Sequence, residues 1–150
     1  MLYLKIKQIS IEHDLIVSGG SLRKKNELIK KVLVIDDDPT VLFALRKLFG
    51  KSGMMVHTSS SFDEAKHCID KNLYQVIITD LKFSETIEEA GIVISIYAKQ
   101  KMPGVKVILW TAVDLSEIFD KVKAANIDLC LIKPVSPNII QGIIENLKFL

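Results

Sequence analysis

The chain has 150 residues, 49% of them hydrophobic and 25% charged, with a formal net charge of +2. That length and apolar content support a single buried core without metal or disulfide staples, and the interleaved charges argue against disorder and against a dedicated nucleic-acid binder. No stretch approaches the roughly 20 apolar residues that span a bilayer, and lysines interrupt the opening Met1 to Lys7 too early for a signal-peptide core.

Residues 1–30 hold six Lys/Arg against three Asp/Glu, whereas the remainder is slightly acidic, so 1–30 reads as an N-terminal extension and 31–150 as the domain proper. Within the extension, Leu4 and Ile6 alternate with Lys5 and Lys7, Leu15-Ile16-Val17 forms a second apolar run, and Gly19-Gly20 precedes a basic stretch from Ser21 to Lys31. A weak strand or hairpin and a short basic helix are expected, read as a loosely docked arm or as residues from a misjudged start codon in preference to a partner-binding arm.

From Val32 short apolar strands alternate with amphipathic helices. Val32 to Ile35 is a continuous apolar run, as in a parallel strand covered on both faces. Asp38 caps the next helix, with Pro39 at its first position and Val41, Leu42, Leu45, Leu48 and Phe49 at helical spacing up to Gly50 and Gly53. A strand over Met54 to His57 follows. Ser61 then caps a helix that turns Ala65, Cys68 and Ile69 inward, and Val76-Ile77-Ile78 is the third strand. After a long loop come a helix over roughly Glu88 to Lys101, a strand Val105 to Trp110, a helix Asp114 to Ala125, a strand Leu129 to Ile132 and a last helix after Ser136, running to Leu150. Five βα units in series predict an α/β, doubly wound parallel sheet with right-handed crossovers and helices on both faces.

In such a sheet the ligand crevice lies at the carboxyl ends of the strands. Here those ends are polar: Asp36-Asp37-Asp38 after the first strand, Thr79-Asp80 after the third, Thr111-Ala112 after the fourth and Lys133-Pro134 after the fifth. Carboxylates crowded on one rim repel one another unless a cation neutralises them, and a hard divalent ion such as Mg²⁺ takes oxygen ligands. Asp38, beside Pro39, reads as a helix cap. Cys68 and Cys130 read as reduced packing residues, and Trp110 and Tyr74 as core or edge packing. His13, His57 and His67 show no ligand spacing.

On these residues, Val32 to Leu150 resembles a response-regulator receiver domain, the phosphoacceptor module of two-component signalling. The acidic pair corresponds to Asp36 and Asp37, the phosphorylated aspartate to Asp80, the switch hydroxyl to Thr111 and the lysine before proline to Lys133. The resemblance implies a flavodoxin-like five-stranded sheet of order 2-1-3-4-5. It implies that Asp80 takes a phosphoryl group from a sensor histidine kinase or histidine phosphotransfer protein. It further implies Mg²⁺ held by Asp37, Asp80 and the Lys82 backbone carbonyl with Asp36 ordering a bound water, a cis Lys133-Pro134 bond, and a hydrogen bond from Thr111 to the phosphoryl group. Output would be a change in contacts with a downstream protein target, from a stand-alone, cytoplasmic domain that allows a homodimer, touches neither nucleic acid nor membrane, and is no enzyme beyond its own phosphorylation and dephosphorylation. Two departures stand out. Cys130 replaces the family's aromatic switch residue three positions before the lysine. The loop Lys82 to Gly91 lacks the family's proline, delays its glycine by about three residues, and brings extra acidic side chains towards the rim.

Two other readings compete. Asp36-Asp37-Asp38-Pro39-Thr40 also fits the D-x-D-x-T motif of haloacid-dehalogenase-like phosphatases, with Asp36 as nucleophile and Asp38 as acid/base, although Lys133 is not followed by that family's acidic pair and Asp80 is left unexplained. A phosphorylation-independent interaction module with a receiver-like fold accommodates Cys130 and the altered loop.

Overall fold

A computed structural model describes residues 29–147. The strand or hairpin and basic helix expected within 1–30 lie, through residue 28, outside those residues, as do positions 148–150, the end of the expected final helix.

The chain runs β1 (Lys31–Ile35), α1 (Pro39–Lys51), β2 (Met55–Ser59), α2 (Phe62–Lys71), β3 (Val76–Thr79), α3 (Ala90–Lys101), β4 (Lys106–Thr111), α4 (Leu115–Ala124), β5 (Leu129–Ile132) and α5 (Pro137–Asn146). All four strand pairings are parallel and the order is β2-β1-β3-β4-β5. This is the expected doubly wound sheet. Side chains alternate across each strand, so Leu33, Ile35 and Ile77 pack into one core with Ala65, Ile69, Ile94 and Ala98 of α2 and α3. Val32, Val34, Val76 and Ile78 face the other way, against Leu45, Phe49, Ile140 and Ile144 of α1 and α5. A smaller core of Leu81, Ile92, Leu109, Ile118 and Cys130 lies beneath α4.

Local chemistry sets the helix ends. The Asp38 carboxylate accepts from the Thr40 N–H at 2.8 Å with Pro39 at the first position, Ser61 Oγ accepts from Glu64 N, and Asp114 accepts from Ser116 N at 2.9 Å. Several boundaries move from the sequence expectation. Ser59, Thr79 and Thr111 extend β2, β3 and β4, because strand register continues two residues beyond the expected end of β2 and one beyond those of β3 and β4, and buries these polar ends. The third helix begins at Ala90 instead of Glu88, since Glu89 sits in the left-handed region at φ 53°. The last helix ends at Asn146, short of Leu150, where Leu147 turns to extended backbone. Among the described residues no helix is long and apolar enough to cross a membrane.

Candidate functional site

The parallel register brings the strand tips level. Ile35 pairs with both Ser59 and Thr79, and the Asp80 N–H donates to the Ile35 carbonyl at 2.9 Å, so the residues that leave β1 and β3 emerge side by side. Carboxylate oxygens of Asp36, Asp37 and Asp80 all lie within 4.8 Å of one another. Asp36 is buried, Asp80 partly so, and Asp37 faces solvent.

Across the rim, Lys133 Nζ reaches from the end of β5 to Asp36 Oδ2 at 3.0 Å and Asp80 Oδ1 at 3.6 Å. The Lys133–Pro134 peptide is cis, in keeping with the resemblance. Three carboxylates and one ammonium leave two negative charges uncompensated. Burial pushes the Asp80 carboxyl above its usual range; the Lys133 charge opposes this and the Asp36 charge reinforces it. The donor set is oxygen only and anionic, which suits a hard divalent cation such as Mg²⁺. Lys82 comes next but one on the loop with its side chain exposed, and among the described residues no backbone hydrogen bond is donated to its carbonyl.

Thr111 closes the rim on the β4 side, 1% exposed, with its Oγ1 accepting from the Val113 N–H at 3.2 Å and its carbonyl accepting from the Lys133 N–H at 2.8 Å. Cys130 is a free thiol buried under α4, and burial pushes it up to about 11, so it stays protonated. Cys68 is free and half-buried.

Asp38 is the one acidic residue of the triplet outside the cluster, its carboxylate engaged at the α1 cap. The inserted loop carries Glu85, Glu88 and Glu89. Glu85 and Glu88 are exposed, and both Glu89 oxygens accept from Lys121 of α4 at 2.8 Å. The late glycine has a steric reason. A Cβ on Gly91 would overlap the Asp80 carbonyl and come within 2.8 Å of Leu81 Cα, while the Gly91 N–H donates to the Leu81 carbonyl at 2.9 Å. His57 is a packed histidine, its Nδ1 2.7 Å from the Tyr74 hydroxyl, with burial and the nearby Lys31 and Arg46 charges lowering its pKa.

Trp110 is buried as expected, yet its ring also lies under the Lys133 ammonium, 5.0 Å from the centroid. The signal in the sequence was a lone tryptophan beside Thr111, on the strand next to the one that delivers the lysine.

A family model described as response regulator receiver domain matches residues 32–145. Among solved structures, a response regulator receiver domain protein from Clostridium thermocellum is 30% identical with a TM-score of 0.68, covering 79% of this chain and 93% of that one. A CheY-like receiver domain protein from Methanospirillum hungatei JF-1 is 23% identical with a TM-score of 0.72, over 79% and 92% of the two chains. A response regulator from Burkholderia pseudomallei, described with a phosphorylated aspartic acid, a calcium ion and citrate, is 19% identical with a TM-score of 0.69, over 79% and 66%. No curated protein matches the chain.

Proposed function

The chain belongs to the response regulator receiver domain family, and from that premise we propose that Asp80 accepts a phosphoryl group from the phosphohistidine of a sensor kinase or phosphotransfer protein. An Asp80 carboxylate oxygen attacks phosphorus, the O–P bond forms, and the histidine N–P bond breaks as the imidazole departs with its electron pair and takes a proton. Asp36, Asp37, Asp80 and the Lys82 carbonyl would hold Mg²⁺, which when bound neutralises the carboxylates and the charge on the phosphoryl oxygens. Lys133 supplies a second positive charge to those oxygens, and Thr111 donates its hydroxyl proton to one of them. Residues 31–150 form the signalling domain and 1–30 its extension. The domain works in the cytoplasm, and phosphorylation changes its contacts with a downstream protein.

The observation that supports this reading is convergence: three carboxylates within 4.8 Å and a lysine touching two of them, drawn from three separate strand ends. The phosphorylated aspartate described in the Burkholderia pseudomallei relative is in accord with it. The test is phosphorylation by acetyl phosphate with Mg²⁺, then mapping of the hydroxylamine-labile adduct. It should fall on Asp80 and vanish in Asp80→Asn. Turnover of a simple phosphate ester that is lost in Asp36→Asn and retained in Asp80→Asn would instead establish a phosphatase. No adduct, together with no response to beryllofluoride and Mg²⁺, would leave a static interaction module.

A further inference from the structure

Phosphoryl transfer to Asp80 leaves one side chain of the rim without a part. Trp110 is 8% exposed, packed between the sheet and the helices α1 and α5, and among the described residues its buried indole Nε1 has no hydrogen-bond partner. Its ring face carries the Lys133 ammonium at 5.0 Å, the same nitrogen that reaches Asp36 and Asp80. We propose that Trp110 is a positioning residue, whose ring holds the Lys133 ammonium over the rim and so sets its reach to a phosphoryl oxygen on Asp80. The proposal rests on the phosphoacceptor role of Asp80.

Lysine is a point charge on a flexible four-carbon stem, so its aim must come from its surroundings. Two attractions act on the Lys133 nitrogen, one from the carboxylates and one from the indole. They differ in how they respond to a change of charge at the rim. Carboxylates that turn towards a divalent cation or take a phosphoryl group give up part of their hold on the ammonium, whereas the attraction of a ring quadrupole is unaffected by either event. Trp is the strongest aromatic partner for a cation, and partial removal of Lys133 from water, with 26% of its side chain exposed, strengthens the contact. The ring is itself immobilised by the core beneath it, so it offers the ammonium a fixed seat. A leucine in its place would fill space without holding charge, while a phenylalanine would keep a ring face.

The test compares the full chain with its Trp110→Phe and Trp110→Leu variants by calorimetric titration, first with Mg²⁺ alone and then with beryllofluoride in saturating Mg²⁺. Lys133 is not a metal ligand in this scheme, so Trp110→Leu should leave Mg²⁺ affinity within about twofold and weaken beryllofluoride by about 3- to 10-fold, with Trp110→Phe recovering most of the loss. Equal weakening of both ligands, equal weakening in Phe and Leu, or no weakening at all overturns the proposal and returns Trp110 to a packing role. A separate readout covers the case in which a variant fails to fold. Trp110 is the single tryptophan of the sequence, and Lys133→Met should shift its emission in the ligand-free chain; an unchanged spectrum overturns the contact. If the unaltered chain takes up Mg²⁺ but no beryllofluoride, the phosphoacceptor reading fails and this proposal with it. If it takes up both and only the Trp110 series is flat, this proposal alone fails.

Discussion

Along β1 from Val32 and along all of β3 every residue is buried, with helices on both faces, whereas β5 buries only Cys130, exposes Ile132, and lies beside α4, which buries only Ile118. The two regions carry different parts of the site. Asp36 and Asp80 leave the fully enclosed strands, joined by the Asp80 N–H to Ile35 bond, while Lys133 leaves the looser edge and Thr111 stands at the boundary between them. Groups that hold position stand on the stiff half. Groups that would respond to phosphorylation stand where fewer buried contacts resist a shift. The Glu89–Lys121 pair ties the loop beyond Asp80 to α4 and so links the two halves by charge.

Equal truncations on either side should expose this asymmetry. Ile77→Ala in β3 should cost about 4 kcal/mol and Ile118→Ala in α4 about 2 kcal/mol, the upper and lower parts of the range for such cavities. Urea unfolding measures both, and equal losses would break the comparison. Gly91→Ala tests whether Asp80 depends on its close neighbour. The added methyl must displace the Asp80 and Leu81 backbone, at a cost of about 1–3 kcal/mol and with weakened Mg²⁺ binding, whereas Gly104→Ala, with open space around its Cβ, should change neither. Matching results for the two glycines would show that the loop gives way freely.

The smallest effect is electrostatic. Burial holds the Asp80 pKa above that of an unfolded carboxyl, so between those two values the folded chain binds more protons than the unfolded one. Stability without divalent cations therefore falls as pH rises from the unfolded carboxyl pKa through the raised folded one. Asp80→Asn should flatten that slope and raise the neutral-pH melting temperature in chelator, while abolishing stabilisation by Mg²⁺. A lower melting temperature in chelator would mean that the Lys133 contact outweighs burial.

Much of this is legible in the linear chain. Five apolar runs separated by capped amphipathic segments, with Asp38, Ser61 and Asp114 at helix starts, specify the order and type of the elements. The polar strand ends Ser59, Thr79 and Thr111 escape hydrophobic patterning, because a ladder hydrogen bond and burial by neighbours decide their state, not their own polarity. Glu89 is similar: nothing in its local sequence demands a left-handed backbone at the start of α3.

Which residues stand on the rim was determined by the sequence itself, since parallel strands in a common register must deliver to one edge the polar residues that come directly after the apolar runs ending at Ile35, Ile78, Trp110 and Ile132. Where those side chains point was decided only by the tertiary structure. Lys133 meets Asp36 across 97 positions, Glu89 pairs with Lys121, and Trp110 lies beneath an ammonium. Each is a contact between distant segments, and its direction depends on loop paths and packing that no local spacing encodes.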